Sequence, residues 1–359
     1  MAGGPQNSKI ETGPLEHDFV ERDMTHPDIS IVVPLYNKVS EISRCLRSAL
    51  GQTYANFELI VIDDGSTDGG DAVVRSFQDC RLRFLQQVNR GLAETRNNGA
   101  RAAKSPIVAF LDADDEWLPT HLEEVTRLVR LHPEAGTYCT GFWLDRGQGW
   151  RRRVRLATHH LKSRAALIDD YFSIPDGKIL PSASAVRKDA LMAAGGYSTM
   201  FGEDIDLLLR MAAIFPVAYT PQATAIWHLD AKNRMCIKEA TEVKQHEPGS
   251  LLPSLRIIEG HDQISVETRT KARDYVAARE RKAIFDTLLE GRRQHAISLY
   301  RLWKQEYRRS SITIALAFVL PSFPLRIFGR CAETLRRAKS IVQYAVEHSE
   351  SRKVFGSSL

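Results

Sequence analysis

An α/β fold, with a mainly parallel central sheet and helices on both faces, is what this 359-residue sequence predicts. Three observations lead there. Short apolar runs rich in β-branched residues alternate with amphipathic stretches of helical period. The runs end in polar, mostly acidic clusters. Glycine or proline marks most changes of period. Strands that alternate with helices are joined by crossovers, which leaves neighbouring strands parallel and both sheet faces covered.

Residues 1–28 are polar and contain Pro and Gly, the composition of an N-terminal tail. "ISIVVPLYN" reads as a buried strand ended by Pro34. "VSEISRCLRSALGQ" reads as a helix, with Ile42, Cys45, Leu46 and Ala49 on one face and Gly51 at its end. "FELIVIDDGSTD" is a second strand entering a turn, "GDAVVRSFQD" a helix and "LRFLQQ" a third strand. "GLAETRNNGARAAK" is a helix, "PIVAFLDADD" a fourth strand and "PTHLEEVTRLVRLHP" another helix. After about residue 137 the pattern changes. "TYCTGFWLDRGQGWRRRVRL" reads as a hairpin with Gly147 and Gly149 at its tip, and "GKILPSASAVRKDALMAAGGYS" as a strand and a short helix. "FGEDIDLLLRMAAIF" is a helix, and "PVAYTPQATAIWHLD" has strand-like ends. The expected organisation is one globular unit over 29–236 and a polar linker or mobile loop over 237–265. A helical region over 266–345, broken at Gly291, and a tail over 346–359 follow.

Hydrophobic residues make up 43% and charged residues 26%, which excludes wholesale disorder. The five cysteines stand far apart without paired metal-ligand spacing and read as thiols of a reducing compartment. No apolar segment opens the chain, so neither a secretory signal nor a transmembrane start is expected there. The net charge is +5, and from Arg301 onward eleven Lys/Arg face four Asp/Glu, which favours an anionic partner. Without a zinc, RNA-recognition or helix-turn-helix signature, nucleic acid is the weakest such partner. "SSITIALAFVLPSFPLRIF" is too short and too interrupted by proline to meet the roughly 18–20 residues of a bilayer span. Over 311–330 two readings stay open: a membrane-interface segment with arginines among phosphates, or a core helix.

Ligands of such sheets bind at the carboxyl ends of the strands, where "PLYN", "DDGSTD" and "DADD" lie. On an extended chain Asp112 and Asp114 point one way and Asp115 the other. Two such carboxylates can share Mg2+ or Mn2+ with phosphate oxygens; a solvated turn or helix cap is the plainer alternative. Asp63 or Asp64 can accept from a base or ribose, beside an Asx turn with Ser66 and Asp68 capping the next helix. Arg96 offers planar donors to a diphosphate or carboxylate, or is a surface arginine. Glu203 and Asp204 in a first helical turn suit the macrodipole or a general base. His228 is a metal ligand, a phosphate contact or a half-buried side chain.

Taken together, "VVPLYNKVSEISRCLRSALGQTYANFELIVIDDGSTDGG", "GLAETRNNGARAAKSPIVAFLDADDEW" and "GGYSTMFGEDIDLLLR" resemble a family-two glycosyltransferase of the A-type nucleotide-sugar fold, from about Ile29 to His228. The resemblance implies an inverting enzyme. Pro34 and Tyr36 would line the nucleotide pocket, Asp64, with Asp63 beside it, would meet the base, and Arg96 would lie near base and diphosphate. Asp112 would approach the ribose, Asp114 would hold Mn2+ or Mg2+ with Asp115 close by, and His228 stands where relatives carry a metal or phosphate contact. Asp204 would be the general base, raised modestly in pKa by Glu203 and Asp206. The acceptor, a glycan or lipid-linked hydroxyl, would meet the second half of the chain: Trp143, Ser182, Ser184, Glu203, the basic hairpin and the 229–262 loop. The resemblance further implies work on surface polysaccharide or glycolipid in the cytoplasm, peripheral at the inner membrane face. A sugar nucleotidyltransferase, whose Gly-rich loop and lysine "PLYNKVSE" lacks, and an inactive glycan- or lipid-binding scaffold are the competing readings.

Overall fold

The computed structural model describes residues 27–156, 165–174, 179–198, 202–231, 250–289 and 292–307. Within them, β1 (Ile29–Leu35), α1 (Ile42–Leu50), β2 (Phe57–Asp63), α2 (Gly70–Arg75), β3 (Leu82–Gln86), α3 (Leu92–Ala102) and β4 (Ile107–Phe110) alternate as the periodicity predicts. β5 (Glu116–Trp117), α4 (His121–Leu131), β6 (Thr137–Asp145), β7 (Arg151–Val154) and β8 (Ala166–Leu167) follow. Next come β9 (Ser184–Arg187), α5 (Lys188–Ala193), α6 (Glu203–Ile214) and β10 (Val217–His228).

One mixed sheet runs β3-β2-β1-β4-β9-β6-β10-β5, with β7 on β6 and β8 on β10. Its first four strands are parallel. β9 enters antiparallel between β4 and β6. β6 therefore runs in the direction of β4, as does β10, its parallel neighbour. The carboxyl ends of β1, β2, β4, β6 and β10 consequently meet on one edge, and β9 starts there.

Alternation along β1 divides the core. Ile29, Ile31, Val33 and Leu35 pack with Ile42, Cys45 and Leu46 of α1, while Val32 joins Ala93 and Ala100 of α3 on the other face. Pro34 does not end β1; it pairs in register with Ile62. Leu35 C=O accepts from Asp64 on the β2 side and Val32 C=O from Leu111 on the β4 side, so Pro34 faces the β4 side. Pairing with β4 stops at Val32, and the proline's missing N–H leaves no gap in the ladder.

The stretch read as a linker holds a helix in its described part, α7 (Leu252–Gly260), with Pro253 in its first turn and Leu255 and Ile258 buried. Its apolar stripe is short, and its partners lie elsewhere in the chain. It packs with α8 (Val266–Leu289), α9 (Arg293–Tyr307) and the Leu209 and Ala213 face of α6 in a second core. The Gly291 break falls at residues 290–291, outside the described residues. So do 1–26, residues 237–249 of the linker, and the whole of 308–359 with the 311–330 segment and the basic tail. No helix among the described residues is long and apolar enough to cross a membrane.

Candidate active site at the carboxyl edge of the sheet

After β4 the chain does not stay extended through "DADD": Asp115 N–H donates to Asp112 C=O at 2.9 Å, closing a turn. The three carboxylates therefore diverge, each to its own partner. Asp112 takes Arg96 Nη2 at 2.6 Å, and Asp114 takes Lys38 Nζ at 2.7 Å. Asp115 is buried and accepts from Ser182 Oγ at 2.5 Å and His228 N–H at 3.3 Å. Burial first, then the charges of Asp114 and Asp112, push the Asp115 carboxyl well above its ordinary range. Ser182 also accepts from Asp112 N–H at 3.1 Å, and its carbonyl accepts from Trp117 Nε1 at 2.6 Å, so this serine shapes the turn.

Arg96, on α3, is 1% exposed. Its Nη1 donates to Glu203 Oε1 at 2.9 Å, and its guanidinium lies 5.2 Å from the Tyr197 ring centroid. Burial alone would lower its pKa, but Asp112, Tyr197 and Glu203 outweigh it and hold the arginine charged. It is thus neither a surface side chain nor a free donor on the edge; it joins the acidic turn to the start of α6. Beside it, Asn97 clamps Tyr197 at two points, donating to its C=O and accepting from its N–H, both at 2.8 Å. Gly196 makes room, since a Cβ there would stand 2.7 Å from Asn97 Oδ1.

Glu203 and Asp204 open α6 behind the left-handed Gly202. Burial raises the pKa of both carboxyls against the lowering effect of Arg96. For Asp204 the further raising charge is Asp112, which corrects the expected push from Glu203 and Asp206. Asp206 is turned inward, paired with Arg210 at 2.6 Å and hydrogen-bonded by Ser198 and Ser254. It locks α6 to α7.

Asp63 and Asp64, both buried, are held internally. Asp63 accepts from Ser66 N–H at 2.9 Å and Gln86 at 3.2 Å. Asp64 accepts from Gln87 at 2.7 Å and from the N–H groups of Arg90 and Gly91 at 2.8 and 2.9 Å, fixing the loop into α3. Asp68 accepts from Gly70 N–H at 3.0 Å, but the N-cap of α2 is Gly69 without a side-chain cap bond, and Ser66 Oγ accepts from Asn37 N–H instead, which corrects the expected capping. Tyr36 stands 46% exposed at the end of β1, whereas Pro34 is buried in the strand and supports the edge instead of lining it.

His228 ends β10 on the same edge, where its Nε2 pairs with Glu116 Oε2 at 3.0 Å and its Nδ1 lies 3.9 Å from Asp230. Glu116 and Lys38 escape a reading by strand ends, though each adjoins a motif: the acid after "DADD" and the base after "YN". Ser184 is buried in the sheet, its hydroxyl donating to Leu180 C=O at 2.7 Å, a correction to its expected contact with an acceptor. Trp143 is half-buried on β6, its Nε1 donating to Ala223 C=O at 3.3 Å. The "WRRRVR" segment forms the predicted hairpin of β6 and β7, with Arg151 on Asp145 at 2.6 Å and Arg146 stacked 4.7 Å over Trp150.

Among the described residues no three His, Cys, Asp or Glu side chains form a complete metal cage. The donors at hand are the Asp114 carboxylate, which already holds a cation in Lys38, and Asp112 beside it. A hard divalent ion that takes one or two carboxylates and fills its shell with phosphate oxygens and water fits that set.

Residues 30–193 match the description "Glycosyl transferase family 2". WfgD of Escherichia coli, "UDP-Glc:alpha-D-GlcNAc-diphosphoundecaprenol beta-1,3-glucosyltransferase", is 42% identical over 96 residues, covering 26% of this chain and 38% of that protein. Against three further curated glycosyltransferases, identities are 32 to 36% and the chain spans 31 to 41% of their lengths. S. aureus TarS 1-349 in complex with UDP-GlcNAc is similar with a TM-score of 0.55 at 17% identity, over 78% of this chain and 91% of that one. Mannosyltransferase PcManGT from Pyrobaculum calidifontis, in complex with GDP-Man and Mn2+, gives 0.54 at 15% identity, over 93% and 88%. These two likenesses concern the fold, while the matched domain carries the strand-end motifs in order. Residues 30–193 match glycosyltransferase family 2, and the described residues have the fold of the A-type glycosyltransferases they resemble.

Proposed function

We propose that the protein is an inverting glycosyltransferase that moves a sugar from a nucleoside-diphosphate sugar, a UDP-sugar first of all, to a hydroxyl of a glycan or lipid-linked acceptor. The observation that carries this reading is the bridge from Asp112 through Arg96 to Glu203, which brings the "DADD" turn and the Glu203–Asp204 pair to one edge. Donor-side carboxylates and a carboxylate base then face one reaction centre.

In this reading Tyr36 offers its exposed ring to the nucleotide, Asp64 and Asp63 fix the loops around the base, and Asp112 meets the ribose. Asp114 would hold Mn2+ or Mg2+, with Asp115 and the His228–Glu116 pair on the same edge, and the metal when bound would neutralise charge on the leaving diphosphate. Arg96 keeps Asp112 and Glu203 oriented while staying out of the solvent path. Asp204, half-buried and raised in pKa, takes the proton of the acceptor hydroxyl, whose oxygen attacks the anomeric carbon opposite the leaving group. One displacement inverts the anomeric configuration.

The acceptor side is supported by a cleft of about 540 Å³ lined by Phe172, Tyr275, Arg279 and Lys282. Ile205, next to Asp204, shares an apolar cluster with Phe172 and Tyr275. Aromatic faces with polar groups around them suit a sugar ring, and the arginines of the β7 hairpin suit an anionic acceptor group. The names of WfgD and TarS favour a UDP donor, and that of WfgD a membrane-borne acceptor. In this reading the protein acts in the cytoplasm, peripheral at the inner membrane face, where a lipid-linked acceptor would be presented.

Calorimetric titration with UDP, GDP and dTDP, each with Mn2+ or with EDTA, tests the reading. Metal-dependent, UDP-selective binding lost in Asp114→Ala is expected. Selective binding of GDP, the nucleotide of PcManGT's donor, would change the donor and keep the site. No nucleotide binding under any condition would leave an inactive scaffold as the better account.

A further inference from the structure

We propose that Lys38 is a tethered competitor for the metal on Asp114, which makes metal binding depend on the nucleotide. The inference rests on the reading of Asp114 as the metal carboxylate.

The Lys38 ammonium lies 2.7 Å from Asp114 Oδ2, with both side chains largely buried at 12% and 17% exposure. The loop that carries Lys38 is braced on both sides. Asn37 is left-handed, donates its N–H to Ser66 Oγ at 3.0 Å and accepts from Thr67 N–H at 2.9 Å. Val39 N–H donates to Asp68 at 2.8 Å, and Lys38 C=O accepts from Ile42 N–H at 2.9 Å as α1 begins. The other side of the contact is fixed too, since Arg44 Nη2 donates to Asp114 C=O at 2.7 Å. A short ion pair between two braced segments is a built contact and not a chance meeting of two mobile side chains.

A divalent ion on the Asp114 carboxylate and an ammonium within hydrogen-bond reach of the same group repel strongly where water is scarce. Lys38 must therefore withdraw on its four-carbon stem when the metal arrives, and without nucleotide it has lost its carboxylate. With the nucleotide bound, the phosphates supply negative charge for both cations, and the penalty disappears. Metal and nucleotide then bind as a coupled pair, each raising the affinity of the other by the same factor.

Free Mn2+ measured by electron paramagnetic resonance tests this on wild type, Lys38→Met, Lys38→Arg and Asp114→Asn, without nucleotide and with UDP or GDP. Without nucleotide, Lys38→Met is expected to bind Mn2+ about tenfold tighter than wild type, and Lys38→Arg to stay near wild type. With nucleotide the difference narrows or reverses. Equal or weaker nucleotide-free Mn2+ binding in Lys38→Met overturns the inference. If Asp114→Asn loses Mn2+ in that case, the metal assignment stands and only the role of Lys38 falls. If Mn2+ binding survives Asp114→Asn, the metal assignment itself fails, and the inference with it.

Discussion

Arg96 donates to Asp112 at 2.6 Å from a position 16 residues earlier in the chain, and the same guanidinium reaches Glu203, 107 residues later, at 2.9 Å. The relation makes one cation responsible for the geometry of two acidic segments. A buried arginine between two carboxylates, with its guanidinium near the Tyr197 ring, cannot be replaced by a neutral side chain of similar length without leaving negative charge uncompensated.

Arg96→Met is accordingly expected to destabilise the fold by about 3 kcal/mol, the scale for removing one partner of a buried ion pair. It should also lower kcat more than it raises the donor KM. Chemical denaturation and steady-state kinetics measure the two effects. Wild-type stability in the variant would mean that the bridge carries little.

Asp204→Asn should reduce transfer by at least about a hundredfold while leaving the nucleotide dissociation constant within error, as removal of a general base does. Because burial raises the Asp204 carboxyl, the acid limb of kcat/KM in the wild type should lie above the ordinary carboxylate value of 3.8. The base works ionised, so activity falls as pH falls through that limb. Lost nucleotide affinity in Asp204→Asn would make it a binding residue.

His121 is fully buried, stacked 4.1 Å from Trp117 and hydrogen-bonded to Thr224 at 2.8 Å. Burial depresses its imidazole from 6.5 to about 3. Between those values the unfolded chain holds a proton that the folded chain refuses. The stability from this site is full above pH 6.5 and is lost as pH falls, by about 1.4 kcal/mol per unit. Denaturant unfolding at pH 7 and pH 5 should show a drop about 2 kcal/mol larger in wild type than in His121→Phe.

Gly99 is where α3 meets β1: a Cβ there would sit 2.2 Å from Val32 Cγ1. Gly99→Ala should cost about 2 kcal/mol through overpacking. Adding Val32→Ala should recover part of the loss, so that the double variant is less destabilised than the two singles summed. Strict additivity would place the strain elsewhere.

Much of the site was legible as a set of positions, because strand ends and acidic clusters are local patterns. The turn at "DADD" shows the limit. Period-two alternation predicts two carboxylates on one side, but the hydrogen bond between Asp115 and Asp112 closes the chain and sends each acid to a different partner. Asp206 looked like a neighbour of Asp204 in charge as well as in sequence, until Arg210 turned it inward. Ser184 lay in a promising stretch and is buried, while Ser182, two residues earlier, shapes the turn.

The sequence by itself determined the alternating strands and helices, the sheet edge on which the polar clusters fall and the family that residues 30–193 match. Each of these is written in short-range period and in motifs a few residues long. Only the tertiary structure decided that β9 runs backwards between β4 and β6, that Lys38 meets Asp114, that Ser182 meets Asp115 and that Arg96 joins Asp112 to Glu203. Those partners stand 16 to 107 residues apart. Which distant groups meet is set by how whole segments pack and by which buried charges must be neutralised together, and no local pattern carries that information.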